Sequence, residues 1–326
     1  MPSHVVHDQL YLDVYNRFPH RIKQKFKDIW SKHKILAQGH DLLYFYMALN
    51  PLQIPTILKH IGVLEDKDIQ GLAVNYIGST RKHSDESKAF LYGYLAHHFS
   101  DARLHPLIIY ESGDFKNDVD SADDHFLLES MLDAYMLKKS GENPQRFKIH
   151  NLVPNNMSLS RKTRKIINHS FKKTYDISNL DTIFAEYNKN ARLFLTYFRH
   201  DPKGIKKKLF KALDLIVGKL FRFSMLPYNY DGTEAIKHLN NDNQPLPHPL
   251  DGKNISDKSF DELYAISVKE ITDMLTLLDE AIDDKAYEQE IRDLVPNISA
   301  VHGYEQGSVY TIEHTRKPKQ KILRRA

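Results

Sequence analysis

His97, Asp101 and His105, three groups able to bind a metal ion, recur at intervals of four in FLYGYLAHHFSDARLHPLIIY. His125, Glu129 and Asp133 recur in the same way in HFLLESMLDAY. On a helix, side chains four apart lie one above another on a single face. Two such faces opposed across a bundle core would assemble a site for more than one cation. The alternative is a polar stripe on a solvated helix, but the neighbours Phe90, Tyr94, Leu95, Phe99 and Leu104, and in the second run Phe126, Leu127, Met131, Leu132 and Met136, are apolar. Burying His and carboxylate among them without partners is costly, which favours a metal or a fully bonded network.

Composition narrows the chemistry. The chain of 326 residues has no Cys, so a disulfide framework, thiolate zinc sites and a cysteine nucleophile are excluded, and metal ligation rests on nitrogen and oxygen. With 41% hydrophobic residues it can bury a large core, read here as one all-helical unit over 1–326. Its parts are a metal-site half (1–140), a helical continuation with a covering loop (141–290) and a basic tail (303–326). The start, MPSHVVHDQLYLDVYNRF, lacks the basic, apolar and small-residue pattern of a secretory signal, and the expected location is cytoplasmic. A net charge of +4 does not by itself point to nucleic acid. Basic runs in SRKTRK, KGIKKKLFK and TRKPKQKILRRA read first as solvated faces, with an anionic membrane surface or nucleic acid as the alternative partner.

The elements that must position these residues are helices. Periodicity predicts an amphipathic helix over 8–30 that Pro19 splits or kinks, a break at Gly39, and a helix over 55–74. The first ligand run predicts a helix over 87–110 that must end, kink or free a carbonyl at Pro106. An acidic loop over 111–124 then leads to a helix over 125–138. Helices follow over 159–175, 180–198 and 205–226. The irregular stretch 240–258, long enough to cover a site, ends at a capping box, Ser259 with Glu262, which opens a helix over 260–282. Locally, His7 reads as a solvated terminal residue, Asp41 as an N-cap or a site carboxylate, and His60 as a surface or core-edge residue. No Gly-rich phosphate loop or Gly-x-Ser-x-Gly element is present.

In order, MPSHVVH, QGHDLLYFY, His60, GYLAHHFSDARLHP and HFLLESMLD, followed late by HPLDG and SFDELY, resemble the zinc-dependent phospholipase C family, in particular its bacterial members without a signal peptide. The resemblance spans most of 1–282. It implies an all-α bundle with two or three Zn2+ ions in its core and hydrolysis of a phosphodiester or phospholipid headgroup ester by metal-activated water. His97, Asp101 and His60 would hold one ion, His7 with bridging Asp101 a second, and His105, His125 and Glu129 a third. Asp41 would touch the cluster and orient or deprotonate the water. The interval of four between Asp101 and His105 is tighter than in the secreted enzymes. On this reading eight side chains converge, whereas His98, about 100° around the helix, points elsewhere. The competing readings are an HD-type metal phosphohydrolase, in which His40 ligates beside Asp41, and a non-catalytic helical metal-binding or scaffold protein.

Overall fold

The computed structural model describes residues 4–49, 51–115, 119–153, 159–199, 201, 203–217, 230–284, 287–306 and 310–316. The described residues are helical wherever they are regular, and no strand occurs among them beyond two isolated bridges, Leu246 with Ser256 and Ile298 with Glu305. The helices are α1 (His4–Arg17), α2 (His20–His33), α3 (Leu42–Leu49), α4 (Ile54–Asp66), α5 (Ile69–Gly78) and α6 (Asp85–Ser112). They continue with α7 (Val119–Lys139), α8 (Arg161–Tyr175), α9 (Leu180–Phe194), α10 (Ile205–Val217), α11 (Phe260–Asp283) and α12 (Glu288–Leu294). None is long and apolar enough to cross a membrane among the described residues.

The axis of the fold is α6. Nearly all of its side chains are buried, because it is surrounded by the 3₁₀ segment Lys34–Asp41, α2, α7 and α11. Apolar residues occur on every face of α6, as in a helix at the centre of a bundle, so the polar side chains among them are forced into the core with it, nine of them buried. Ser84 opens α6 by accepting from the Ser87 backbone N–H. Pro106 does not end it. The helix continues to Ser112, and the carbonyl that Pro106 leaves without an N–H donor, that of Ala102, lies against Gly303. A β-carbon on Gly303, whose φ is +72°, would stand 2.4 Å from that oxygen.

Other boundaries differ from expectation for identifiable reasons. The 8–30 helix is two, divided at Phe18–Pro19. The 55–74 helix is also two, because Asp68 turns left-handed and its carboxylate caps the Gly71 N–H of α5. Of the acidic stretch before His125, 113–115 are irregular as expected and 116–118 lie outside the described residues, but 119–124 are the first turns of α7, where Asp120 meets the positive end of the helix dipole. The 240–258 stretch is irregular as expected, and α11 starts at the Ser259–Glu262 capping box. The 205–226 helix is described only to Val217; residues 218–229 and the last part of the basic tail, 317–326, lie outside the described residues.

Candidate metal centre

Four elements converge on one buried volume. From α1 comes His7, from the 3₁₀ segment His40 and Asp41, from α6 His97, Asp101 and His105, and from α7 His125 and Glu129. All eight are at most 6% exposed, a level at which a polar group left without a partner is costly. Gly39 makes the approach possible: with φ at +49° it passes so close to α6 that a β-carbon would stand 2.4 Å from the His97 ring.

These side chains form three potential ligand sets: His7, His97 and Asp101; His40, Asp41 and His97; and His105, His125 and Glu129. Asp101 lies between the first and the last. Its Oδ1 is 3.2 Å from His7 Nε2 and 3.7 Å from His105 Nε2, while Oδ2 is 3.2 Å from His97 Nε2. Glu129 Oε1 lies 3.5 Å from His125 Nε2 and 3.6 Å from His105 Nε2. Asp41 Oδ1 is 4.0 Å from His97 Nε2. Two ligands bound at about 2.0–2.1 Å to one tetrahedral zinc stand about 3.3–3.4 Å apart. The observed spacings bracket that value.

The surrounding hydrogen bonds decide which ring nitrogens face inward. Ser100 Oγ spends its only hydrogen on the His97 carbonyl at 2.8 Å, so at 3.0 Å from His7 Nδ1 it must accept. Ser112 Oγ donates to the Ile108 carbonyl at 2.8 Å and accepts from His125 Nδ1 at 3.2 Å. His105 Nδ1–H donates to the Ala300 carbonyl at 2.9 Å. In all three rings Nδ1 carries a hydrogen and Nε2 is directed at carboxylate oxygen. A neutral Nε2 presents a lone pair there, so a cation must stand between it and the oxygen, whether a proton or a metal. Such outer bonds from ligating imidazoles are the usual support of a metal site. Both nitrogens of His97, and Nε2 of His105, have no hydrogen-bond partner among the described residues.

The electrostatics follow the same pattern. Burial works to lower His105, but Asp101 and Glu129 outweigh it and push the ring up to about 9. Burial likewise opposes His7, and Asp101 wins, raising it. For His97 burial prevails and holds the ring well below its usual value, as it does, less strongly, for His125. Asp101 and Glu129 stay well below the carboxylate range although burial opposes ionisation; His105, His97 and His7 hold Asp101 there, and His125 helps hold Glu129.

No family model, curated protein or solved structure matches this chain. What the site can do must be read from its residues.

Of the residues singled out from the sequence, His7, Asp41, His97, Asp101, His105, His125 and Glu129 are brought together. His60, half-buried on α4, belongs to none of the three sets; the place expected for it beside His97 and Asp101 is held by His7, and His40 joins His97 and Asp41 in a set of its own. The rings of His40 and His97 meet edge to face at 4.6 Å, and His40 Nε2 lies 3.7 Å from Glu65 Oε1 and 3.9 Å from Asp41 Oδ1. Asp133 serves another purpose. Its carboxylate accepts from the backbone N–H groups of His4, Val5 and Val6 at 2.9–3.1 Å, fastening the first turn of α1 to α7 and so locating His7. His98 points elsewhere, with Nε2 2.7 Å from the Ile298 carbonyl.

Much of the stretch 240–258 lines a cavity together with Ala102, Arg103 and Pro106, and its Leu250 packs with Phe115 and Tyr310 in a small apolar cluster. The C-terminal segment also walls the candidate centre. Ala300 supplies the acceptor for His105 and donates its own N–H to the Glu65 carbonyl at 2.9 Å. Tyr310 packs on His302 at 4.3 Å, and its hydroxyl is held high first by burial and then by the charges of Asp66, Glu65 and Asp114. Phe115 stacks on His125 at 4.5 Å. No sequence motif marks Ala300; the one available signal was HGY at 302–304, a His beside a turn glycine.

Proposed function

We propose that the protein is a metal-dependent phosphoric ester hydrolase of the zinc-dependent phospholipase C type, cleaving a phosphodiester or a phospholipid headgroup ester. The observation that carries this reading is the orientation of His7, His105 and His125, whose Nδ1 hydrogens are committed outward while Nε2 faces Asp101 or Glu129 at 3.2–3.7 Å. The donor set is all nitrogen and oxygen, which suits zinc and also accepts iron or manganese. His7, His97 and Asp101 would hold one ion and His105, His125 and Glu129 another, with Asp41 and His40 beside His97 offering a third position.

Zinc bound there supplies a Lewis acid that acidifies water towards neutral pH and offsets charge on phosphate oxygens. The protein's own residues supply the rest. Ser100, Ser112 and the Ala300 carbonyl keep the imidazoles aimed inward. Asp101, lying between two sets, fixes their separation. Asp41, 1% exposed and raised by burial, is the carboxylate placed to take the proton of the attacking water. The water oxygen forms the new bond to phosphorus, the ester oxygen leaves with the alcohol, and no covalent enzyme intermediate is needed.

Elemental analysis of the purified chain, with hydrolysis of bis(p-nitrophenyl) phosphate before and after chelation, tests this reading. Bound metal and chelator-sensitive turnover are expected; neither being found overturns it. If Asp41→Asn keeps its metal and any hydrolysis is unchanged, the non-catalytic metal-binding alternative stands. The position of His40 favours one second reading, the HD-type phosphohydrolase, in which His40 and Asp41 ligate together. A His40→Ala protein with full metal content removes that alternative.

A further inference from the structure

Helix α10 packs on the protein along one side and, over 205–212, is exposed along the other. At its start the buried Asp201 accepts from the backbone N–H groups of Gly204, through its carbonyl, and of Lys207, through its carboxylate, at 3.1 and 2.9 Å. Lys206 reaches back to the Thr196 carbonyl at 2.7 Å, Lys207 lies over the Tyr230 ring at 5.2 Å, and Phe210 stacks on Phe198 at 6.1 Å. Positions 206, 207 and 210 thus face the body of the protein.

The opposite stripe, 205, 208, 209 and 212, follows helical spacing and is exposed throughout. It combines Ile205 at 63% and Leu209 at 66% exposure with Lys208 and Ala212, and Lys203 and Tyr197, the latter 63% exposed, stand just before it. Leucine and isoleucine at such exposure, in register on one helix and interleaved with lysine, contribute nothing to this core. No acidic residue lies within the stripe; Asp201 and Asp214 flank it in sequence, and on the inner face Asp201 acts on Lys206 and Lys207 and Glu234 on Lys207. Phosphate contacts, which dominate nucleic-acid affinity, engage the lysines and leave the two aliphatic side chains in water. Aliphatic side chains that sink to the acyl boundary while flanking lysines meet lipid phosphates form the pattern of an interfacial helix.

We propose that the outer stripe of α10 docks the protein on an anionic lipid surface. Ile205 and Leu209 enter the headgroup region, and Lys203 and Lys208 contact its phosphates. This docking is independent of the hydrolase reading, since it concerns partition onto a bilayer and not turnover.

Co-sedimentation of the full chain with vesicles of phosphatidylcholine, alone or mixed with phosphatidylserine, tests it. Binding is expected only to the mixed vesicles and should weaken with added salt. Ile205→Gln with Leu209→Gln, and separately Lys203→Glu with Lys208→Glu, should each reduce it about tenfold or more. Leu277→Gln on α11, a similarly exposed aliphatic at 49%, should leave it unchanged. Circular dichroism and thermal melting confirm that each variant is folded. No binding to mixed vesicles, equal binding to neutral ones, or wild-type binding by the α10 variants overturns the proposal. It is equally overturned if the stripe joins two copies of the chain, seen as an α10-dependent dimer on size exclusion with no lipid binding.

Discussion

Helix α6 carries two buried charge clusters, and they are completed in opposite ways. Near its start, Lys88 donates to Asp279 Oδ1 at 2.9 Å and also to Asp283, Tyr92 donates to the same Asp279 oxygen at 2.9 Å, and Lys25 donates to Asp279 Oδ2 at 2.8 Å. Each Asp279 oxygen receives at least one N–H or O–H, so the cluster is satisfied by its own side chains. Halfway along, Asp101 and Glu129 face imidazole nitrogens whose hydrogens are committed elsewhere. The first cluster ties α2, α6 and α11 together. The second has its anions and inward-facing Nε2 atoms in place, and the cation between them is a proton on the ring or, on the proposed reading, a metal ion. Buried charge alone therefore does not distinguish the two clusters; donor geometry does.

The comparison breaks most readily at Asp101. Its replacement by Asn removes the carboxylate lying between two ligand sets, and bound metal should fall with hydrolysis dropping by about 100-fold or more. Full metal content and activity in Asp101→Asn would show that the second cluster is as self-contained as the first. The counterpart is Lys88→Met, which leaves Asp279 buried with one cation fewer. Breaking a buried pair this way costs about 3–5 kcal/mol, read in urea unfolding, whereas metal bound per folded molecule should not change. A smaller effect comes from Ser112→Ala, which removes the acceptor for His125 Nδ1–H. Metal affinity should weaken about 10–100-fold, measured by chelator competition, with little change in melting of the metal-free chain.

The helical class and the two ligand-bearing helices were legible because their signals are local: spacing of four residues, the Ser259–Glu262 capping box, a proline break. Features that depend on distant segments were not. Asp133 has the same spacing from Glu129 as Glu129 from His125, and nothing in that run tells that the start of α1, more than a hundred residues away, will occupy it. His40 and His60 are separated only by tertiary packing, since Gly39 lets the 3₁₀ segment approach His97 while α4 carries His60 away from all three ligand sets. The acidic run before His125 looked like a loop because Asp is a weak helix former in isolation; at an N-terminus the dipole reverses that preference. The wall supplied by Ala300 acts through a backbone carbonyl, which no side-chain pattern reports.

The smallest effect tests whether the first cluster is a closed ion network. Burial by itself would raise the Asp279 carboxyl, but hydrogen bonds from Lys25 and Lys88, the Lys88 charge and the Tyr92 hydroxyl outweigh it and hold the group below its usual value. A carboxyl depressed in the folded state adds stability that is fully present above its unfolded pKa of about 4 and is lost as pH falls towards the folded value. Stability should therefore decline with acid below about pH 4, and Asp279 can add to that slope no more than about 1.4 kcal/mol per pH unit for its one proton. In Asp279→Asn this share of the slope is absent, so the difference between wild type and variant in urea unfolding should shrink steadily from pH 5 to pH 3, on the order of the range in which the carboxyl titrates. A difference that stays constant over that range would mean that Asp279 titrates alike in the folded and unfolded chain. The lysines would then be neighbours of the carboxylate without being its counter-charges, and the contrast between the two clusters on α6 would be lost.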